Sequence, residues 1–217
     1  MSVVLLLLFL AIAVGIGIWR QRKAVAVREK EAMGVVAAPS WKEIFVHPGH
    51  AWVEVMEPNL VAVGTDEFTR SVFGSIERLT LPDPGSMIQQ GGKAWRLKRG
   101  TRELVQTSPI SGRVEEVNQD LMQNPRLLLD KDTQKNWMLK IRPLRLKREL
   151  KNLLYGNMLR QWNQAVKDRL VATLTMAEFP VLQEGGEIKP DLGDELTSQQ
   201  WEKVTAEFFN PGQSEDK

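Results

Sequence analysis

Five cations fall within ten positions in the stretch GKAWRLKRGTRELVQTSPISG, residues 92–112: Lys93, Arg96, Lys98, Arg99 and Arg102. Two kinds of chemistry follow from those types. A lysine amine can be acylated to a stable amide and so carry cargo, whereas a guanidinium stays protonated and cannot. Clustered on one short segment, the charges form a positive patch that suits acidic protein surfaces or anionic headgroups. The same charges along a strand edge would serve to block strand addition, and both readings stand at this level. His47 and His50 offer two imidazoles at i, i+3, but no third ligand is near and Pro48-Gly49 argues for a turn, so no metal site is assigned.

Composition excludes more. Cysteine is absent, which removes disulfides, thiolate nucleophiles, cysteine-ligated iron–sulfur clusters and haem attachment through CxxCH. No Ser-His-Asp spacing, phosphate loop or paired-carboxylate motif stands out, so the chain is expected to be non-enzymatic, with any redox role borrowed from a partner or a carried cofactor. A length of 217 residues with 42% hydrophobic and 26% charged residues allows one or two small domains. The net charge of +2 is too small to argue for nucleic acid.

The elements that must hold the cationic stretch can be read around it. A strand through Trp95 and Leu97 reaches Gly100 and returns through Leu104 and Val105 to the turn SPISG, which makes a β-hairpin with a basic tip. From Trp41 onward AWVEVME, LVAVGT, SIERLTL, GRVEEVN and NWMLKIRP read as short strands separated by glycine and proline turns, with one helix over Asp66 to Ser75. Gly64 is placed for a close backbone approach or a positive φ at a strand end, Gly74 for closing that helix, and Pro82, Pro84 and Gly85 for a tight turn. Trp52, Val53, Val55, Val61, Val63, Ile76 and Val114 are the core candidates. The pattern is that of an all-β sandwich or barrel of about a hundred residues, large enough to bury its own core.

In order, HPGHAWVEV, VAVGTDEFTRSVFGSI, LPDPGSMIQQGGKAW, SPISGRVEEVN and NPRLLLDKDTQKNWMLKIRP make the segment from His47 to Pro143 resemble the glycine cleavage system H protein. That family implies a mainly β, lipoyl/biotinyl-type β-sandwich (a barrel-sandwich hybrid) that carries lipoate on a lysine at the hairpin tip. Counting forward from the family's glycine, Gly92 here, lands on Arg102; counting back from the SP turn lands on Thr101. Neither can be lipoylated. Lys98 and Lys93 remain as substitutes off the expected slot, and a shift of two positions changes the exposure of a strand residue. No cofactor is therefore assigned, with lipoate on Lys98 as the alternative.

The first nineteen residues, MSVVLLLLFLAIAVGIGIW, carry no charge and are followed at once by RQRK. A helix of that length nearly spans a bilayer core of about 30 Å, and the flanking cations place the remainder on the cytoplasmic side. A cleaved signal peptide is the alternative, but no basic region precedes the run and no A-x-A site follows it. The expected organisation is a transmembrane anchor at 1–22, a linker at 23–40, the lipoyl-type domain at 41–143, a helical extension with a small hairpin at 144–210, and a disordered tail at 211–217.

After Pro143, apolar residues at Leu146, Leu150, Leu153, Leu154, Met158, Trp162, Val166 and Leu170 predict one amphipathic helix of up to seven turns, bent near Gly156 and basic at its start. It could pack on the β domain or offer Trp162 to a partner or a membrane surface. The remainder has a hairpin around EGGE and a terminal helix with a capping-box signature at Thr197 and Gln200, ending in Phe208 and Phe209 as a docking end. Its charge is mostly acidic, opposite to the hairpin tip. Two functions fit: a cargo-free accessory or assembly subunit docked on a membrane protein complex, for which a redox or photosynthetic electron-transfer complex is a suitable setting, or a membrane-tethered lipoylated carrier in one-carbon or sulfur metabolism. Membrane-surface binding by the basic helix as an end in itself is a third. Docking candidates are Lys93, Arg96, Lys98, Arg99, Arg102, Trp162, Phe208 and Phe209. No nucleic acid and no small-molecule substrate is expected.

Overall fold

Alternation in AWVEVME sends Val53 and Val55 to one face of a strand and Trp52 to the other, and both faces are covered. The strand is β2 (Ala51–Glu57), in a computed structural model that describes residues 43–130, 132–175 and 192–209. It lies in a six-stranded antiparallel sheet of order β1-β2-β3-β9-β8-β5, made by β1 (Ile44–His47), β3 (Leu60–Thr65), β9 (Leu139–Pro143), β8 (Gly112–Val117) and β5 (Met87–Ile88). A second, three-stranded sheet has the order β4-β6-β7: β4 (Arg78–Thr80), β6 (Lys93–Arg99) and β7 (Arg102–Thr107). All seven of the residues expected in the core are buried. Of SIERLTL, only Arg78–Thr80 is strand.

The predicted helix is α1 (Glu67–Phe73), which Asp66 caps by accepting a hydrogen bond from the Thr69 amide and Gly74 ends at φ +71°. Gly64 must be glycine, because a Cβ there would sit 2.7 Å from the Trp52 ring. Two short helices, α2 (Gln119–Gln123) and α3 (Thr133–Asn136), flank a 3-10 turn at Pro125–Leu129 between β8 and β9.

The extension differs from the single bent helix that the apolar spacing predicts. Helix α4 (Leu146–Glu149) runs into a 3-10 turn at Leu150–Asn152, the chain extends through Leu153–Tyr155, and α5 (Gly156–Thr175) begins afresh. The interruption has a cause. Leu154 exchanges two backbone hydrogen bonds of 2.8 Å with Val46 and so covers the free edge of β1, a pairing that a helical backbone could not make. Leu153 is buried beside it, and Gly156, at φ +55°, restarts the helix.

Helix α5 lies on the β domain. Val166, Leu170 and Leu174 enter the main core, and Leu159 and Trp162 cover the smaller cluster of Val46, Trp52 and Ala62. Helices α6 (Leu192–Glu195) and α7 (Ser198–Phe209) complete the same core with Leu192, Leu196, Trp201, Val204, Phe208 and Phe209. Thr197 and Gln200 form the capping box, their side chains and backbone amides bonding reciprocally at 3.3 and 2.8 Å. The anchor at 1–22, the linker at 23–40, the EGGE hairpin and the tail lie outside the described residues. Among the described residues no helix is long and apolar enough to cross a membrane.

Candidate functional site at the hairpin tip

Strands β6 and β7 pair Lys98 with Glu103 and Arg99 with Arg102, leaving Gly100 and Thr101 as the turn. Gly100 has φ +55°, which favours glycine, and its amide donates to Glu77 Oε2 at 2.9 Å. The turn itself contains no amine: Thr101 is exposed, and the nearest lysine, Lys98, points to solvent from β6.

The base of the hairpin is fixed by a buried polar network that sequence reasoning missed. Trp95 Nε1 donates to Gln106 Oε1 at 2.9 Å, and Gln106 Nε2 donates to the His50 carbonyl at 2.9 Å and to Thr69 Oγ1 at 3.1 Å. His50 adopts φ +63°, holds Asp66 through Nδ1 at 2.7 Å, and stacks on Phe68 with Trp162 and Phe209 at its other edges. Burial raises the Asp66 carboxyl, but His50 and the two hydrogen bonds from Thr69 outweigh it and hold the group below its ordinary value. His47 Nδ1 accepts from the Gly49 amide at 2.9 Å, and burial together with His50 pushes its imidazole from 6.5 down to about 4. Both histidines thus fasten the turn before β2.

The tip meets the end of the chain. Arg99 is ion-paired with Asp194 and donates to the Phe73 carbonyl at 3.4 Å. Arg102 donates to the Leu196 carbonyl at 2.5 Å, lies 3.9 Å from Asp194 and stacks its guanidinium over Trp201 at 5.4 Å. Gly193 permits the approach, since a Cβ there would fall 2.5 Å from the Val72 carbonyl. Opposite charge on the tip and the C-terminal segment was the signal in the sequence for this pairing. The pairing partner, Asp194, was not among the candidate residues.

Several expected docking residues have partners inside the molecule. Arg99 and Arg102 are engaged within the chain. Phe208 and Phe209 are buried against Phe68, and Trp162 is half-buried over His50, because the sandwich leaves this end of its core open and α5 and α7 close it. Arg96 forms an exposed ion pair with Glu103 at 3.1 Å, while Lys93 and Lys98 face solvent.

Residues 45–167, more than half of the chain, match the family model described as glycine cleavage H-protein. A glycine cleavage system H protein of a Geobacillus species is 33% identical over 132 residues, covering 58% of this chain and 96% of the relative. A probable H protein of Thermococcus kodakarensis is 30% identical over 105 residues, covering 48% and 78%. A crystal structure of the H protein from Mycobacterium marinum is similar over 49% of this chain and 86% of its own, with 18% identity and a TM-score of 0.44. Asp194, Leu196 and Trp201, which close over the tip, all lie beyond the matched residues. From its first strand to the middle of α5, the chain belongs to the glycine cleavage H-protein family.

Proposed function

We propose that this chain is a membrane-anchored, cargo-free H protein that serves as a non-enzymatic accessory or assembly subunit of a membrane-associated protein complex. The family is one of carriers rather than catalysts. One observation supports the departure from it: the tip that the resemblance makes the place of a lipoyl lysine bears arginine and threonine, and the chain's own C-terminal segment reaches its arginines through Asp194, Leu196 and Trp201. The tip residues do not fit a lipoyl group, because Thr101 has no amine and Arg102 is held by a carbonyl and an indole. The uncharged run at the N-terminus and the RQRK that follows it support the anchor, with the domain on the cytoplasmic side.

A second reading is favoured by the exposure of Lys98, which forms no ion pair among the described residues and would leave an amine free for lipoate. The chain would then be a tethered carrier like its relatives. Intact mass of the protein purified from its own membranes, with the identity of co-purifying chains, separates the two. An unmodified mass with stoichiometric membrane subunits is the expected result. A lipoyl mass that vanishes in Lys98→Arg overturns the proposal and establishes the carrier.

A further inference from the structure

With Arg99, Arg102, Trp162 and the terminal phenylalanines occupied inside the molecule, the open cations are what a docking surface has to offer, and the densest group of them lies away from the tip. Between β9 and α5 the stretch 142–151 reads RPLRLKRELK. Arg142 is paired with Glu115 at 2.8 Å. The only carboxylate of the stretch, Glu149, is turned inward, where it accepts from the Ser111 amide at 2.7 Å. Arg145, Lys147, Arg148 and Lys151 are all exposed and form no ion pair among the described residues. Beside Arg145 and Arg148, Leu144 is 61% exposed, the most exposed of the large apolar side chains described. Leu144 lines an open recess of about 470 Å³ together with Arg145, Arg148, Gln89, Asn152 and Glu149, whose carboxylate is held by the Ser111 amide.

We infer that this face is a docking surface for the anionic headgroups of a lipid bilayer. Four uncompensated cations would face the phosphate layer, Leu144 would enter the boundary beneath it, and the recess between the two arginines would accept a headgroup phosphate. An acidic protein surface would match the charges too; the bare leucine beside them, suited to the apolar side of a headgroup layer, favours the bilayer. The inference rests on the anchor reading for its geometry. The linker at 23–40 reaches at most about 60 Å when fully extended, so an anchored chain would keep the patch at high local concentration beside the bilayer. The patch carries the same sign of charge as RQRK, so both would favour one leaflet.

The test uses the full chain in nanodiscs of phosphatidylcholine alone and of phosphatidylcholine mixed with phosphatidylglycerol, reading amine acetylation of Lys147 and Lys151 with Lys93 and Lys98 as internal references. Slowing of Lys147 and Lys151 by at least about threefold in the anionic discs, reversed by high salt and absent in Arg145→Glu/Arg148→Glu, is expected. Equal labelling in both discs overturns the inference. Protection seen only in native membranes, and lost on purification away from other proteins, overturns it in favour of an acidic protein partner. Alkaline carbonate extraction of the same chain tests the anchor separately. A chain that extracts refutes the anchor, and its flotation with phosphatidylglycerol vesicles but not with neutral ones still supports the patch, whereas failure to float with either overturns it.

Discussion

Gln106 holds the hairpin to its foundation with every polar atom of its side chain, and it is fully buried. Replacing it with leucine keeps the volume but orphans the buried Trp95 indole N–H, a loss of about 1–3 kcal/mol that a urea-unfolding midpoint will report. Asp66→Ala is expected to cost more than an ordinary helix cap of about 1 kcal/mol, since it also leaves His50 buried without its partner. The histidines add a pH dependence. His47 titrates at about 4 in the folded chain against 6.5 ordinarily, so between those values the unfolded state binds the extra proton and stability falls as pH falls from 6.5 toward 4. Asp66, held below its ordinary value, loses its contribution in the same direction at lower pH. Thermal melts across that window should therefore decline on the acid side, and less steeply in His47→Gln. None of this network was legible in the sequence, because Gln106, Thr69 and Asp66 carry no motif and are brought together only when α1 and β7 pack around the His50 turn.

Most strands and α1 were legible because alternation and turn residues act locally, as AWVEVME and the glycine-punctuated LVAVGT show, whereas the short β1 and β5 have too few residues to show a period. The single long helix was not correct, because its apolar spacing continues through Leu153 and Leu154 while the backbone there is claimed by Val46. Spacing reports which side chains face the core and is silent on what the main chain pairs with. Leu154→Pro is expected to remove the amide bonded to the Val46 carbonyl and to destabilise the protein by about 1–3 kcal/mol, with the Val46 amide exchanging faster with deuterium as the β1 edge opens. Thr197→Ala is expected to cost about 1 kcal/mol through its capping box alone and to leave exchange in β1 unchanged.

Across the molecule, the family-matched portion and the segment after it share one core: His50 and Phe68 meet Phe208 and Phe209, and Phe73 meets Trp201. Phe209→Ala, at a fully buried site, is expected to cost about 3–5 kcal/mol, and deletion of residues 192–217 to leave the domain unstable in a urea titration. A cut at residue 143, the domain limit expected from the sequence, would pass through this shared core. The tip closure also sets an order of events. Arg99 and Arg102 wait for partners 95 and 94 positions later in the chain, so local pairing of β6 with β7 can finish while the tip is still bare. On a ribosome Arg99 and Arg102 therefore stay uncovered until residues 192–209 have emerged, so any contact that other acidic surfaces make with these two arginines belongs to that interval, in competition with the speed of translation.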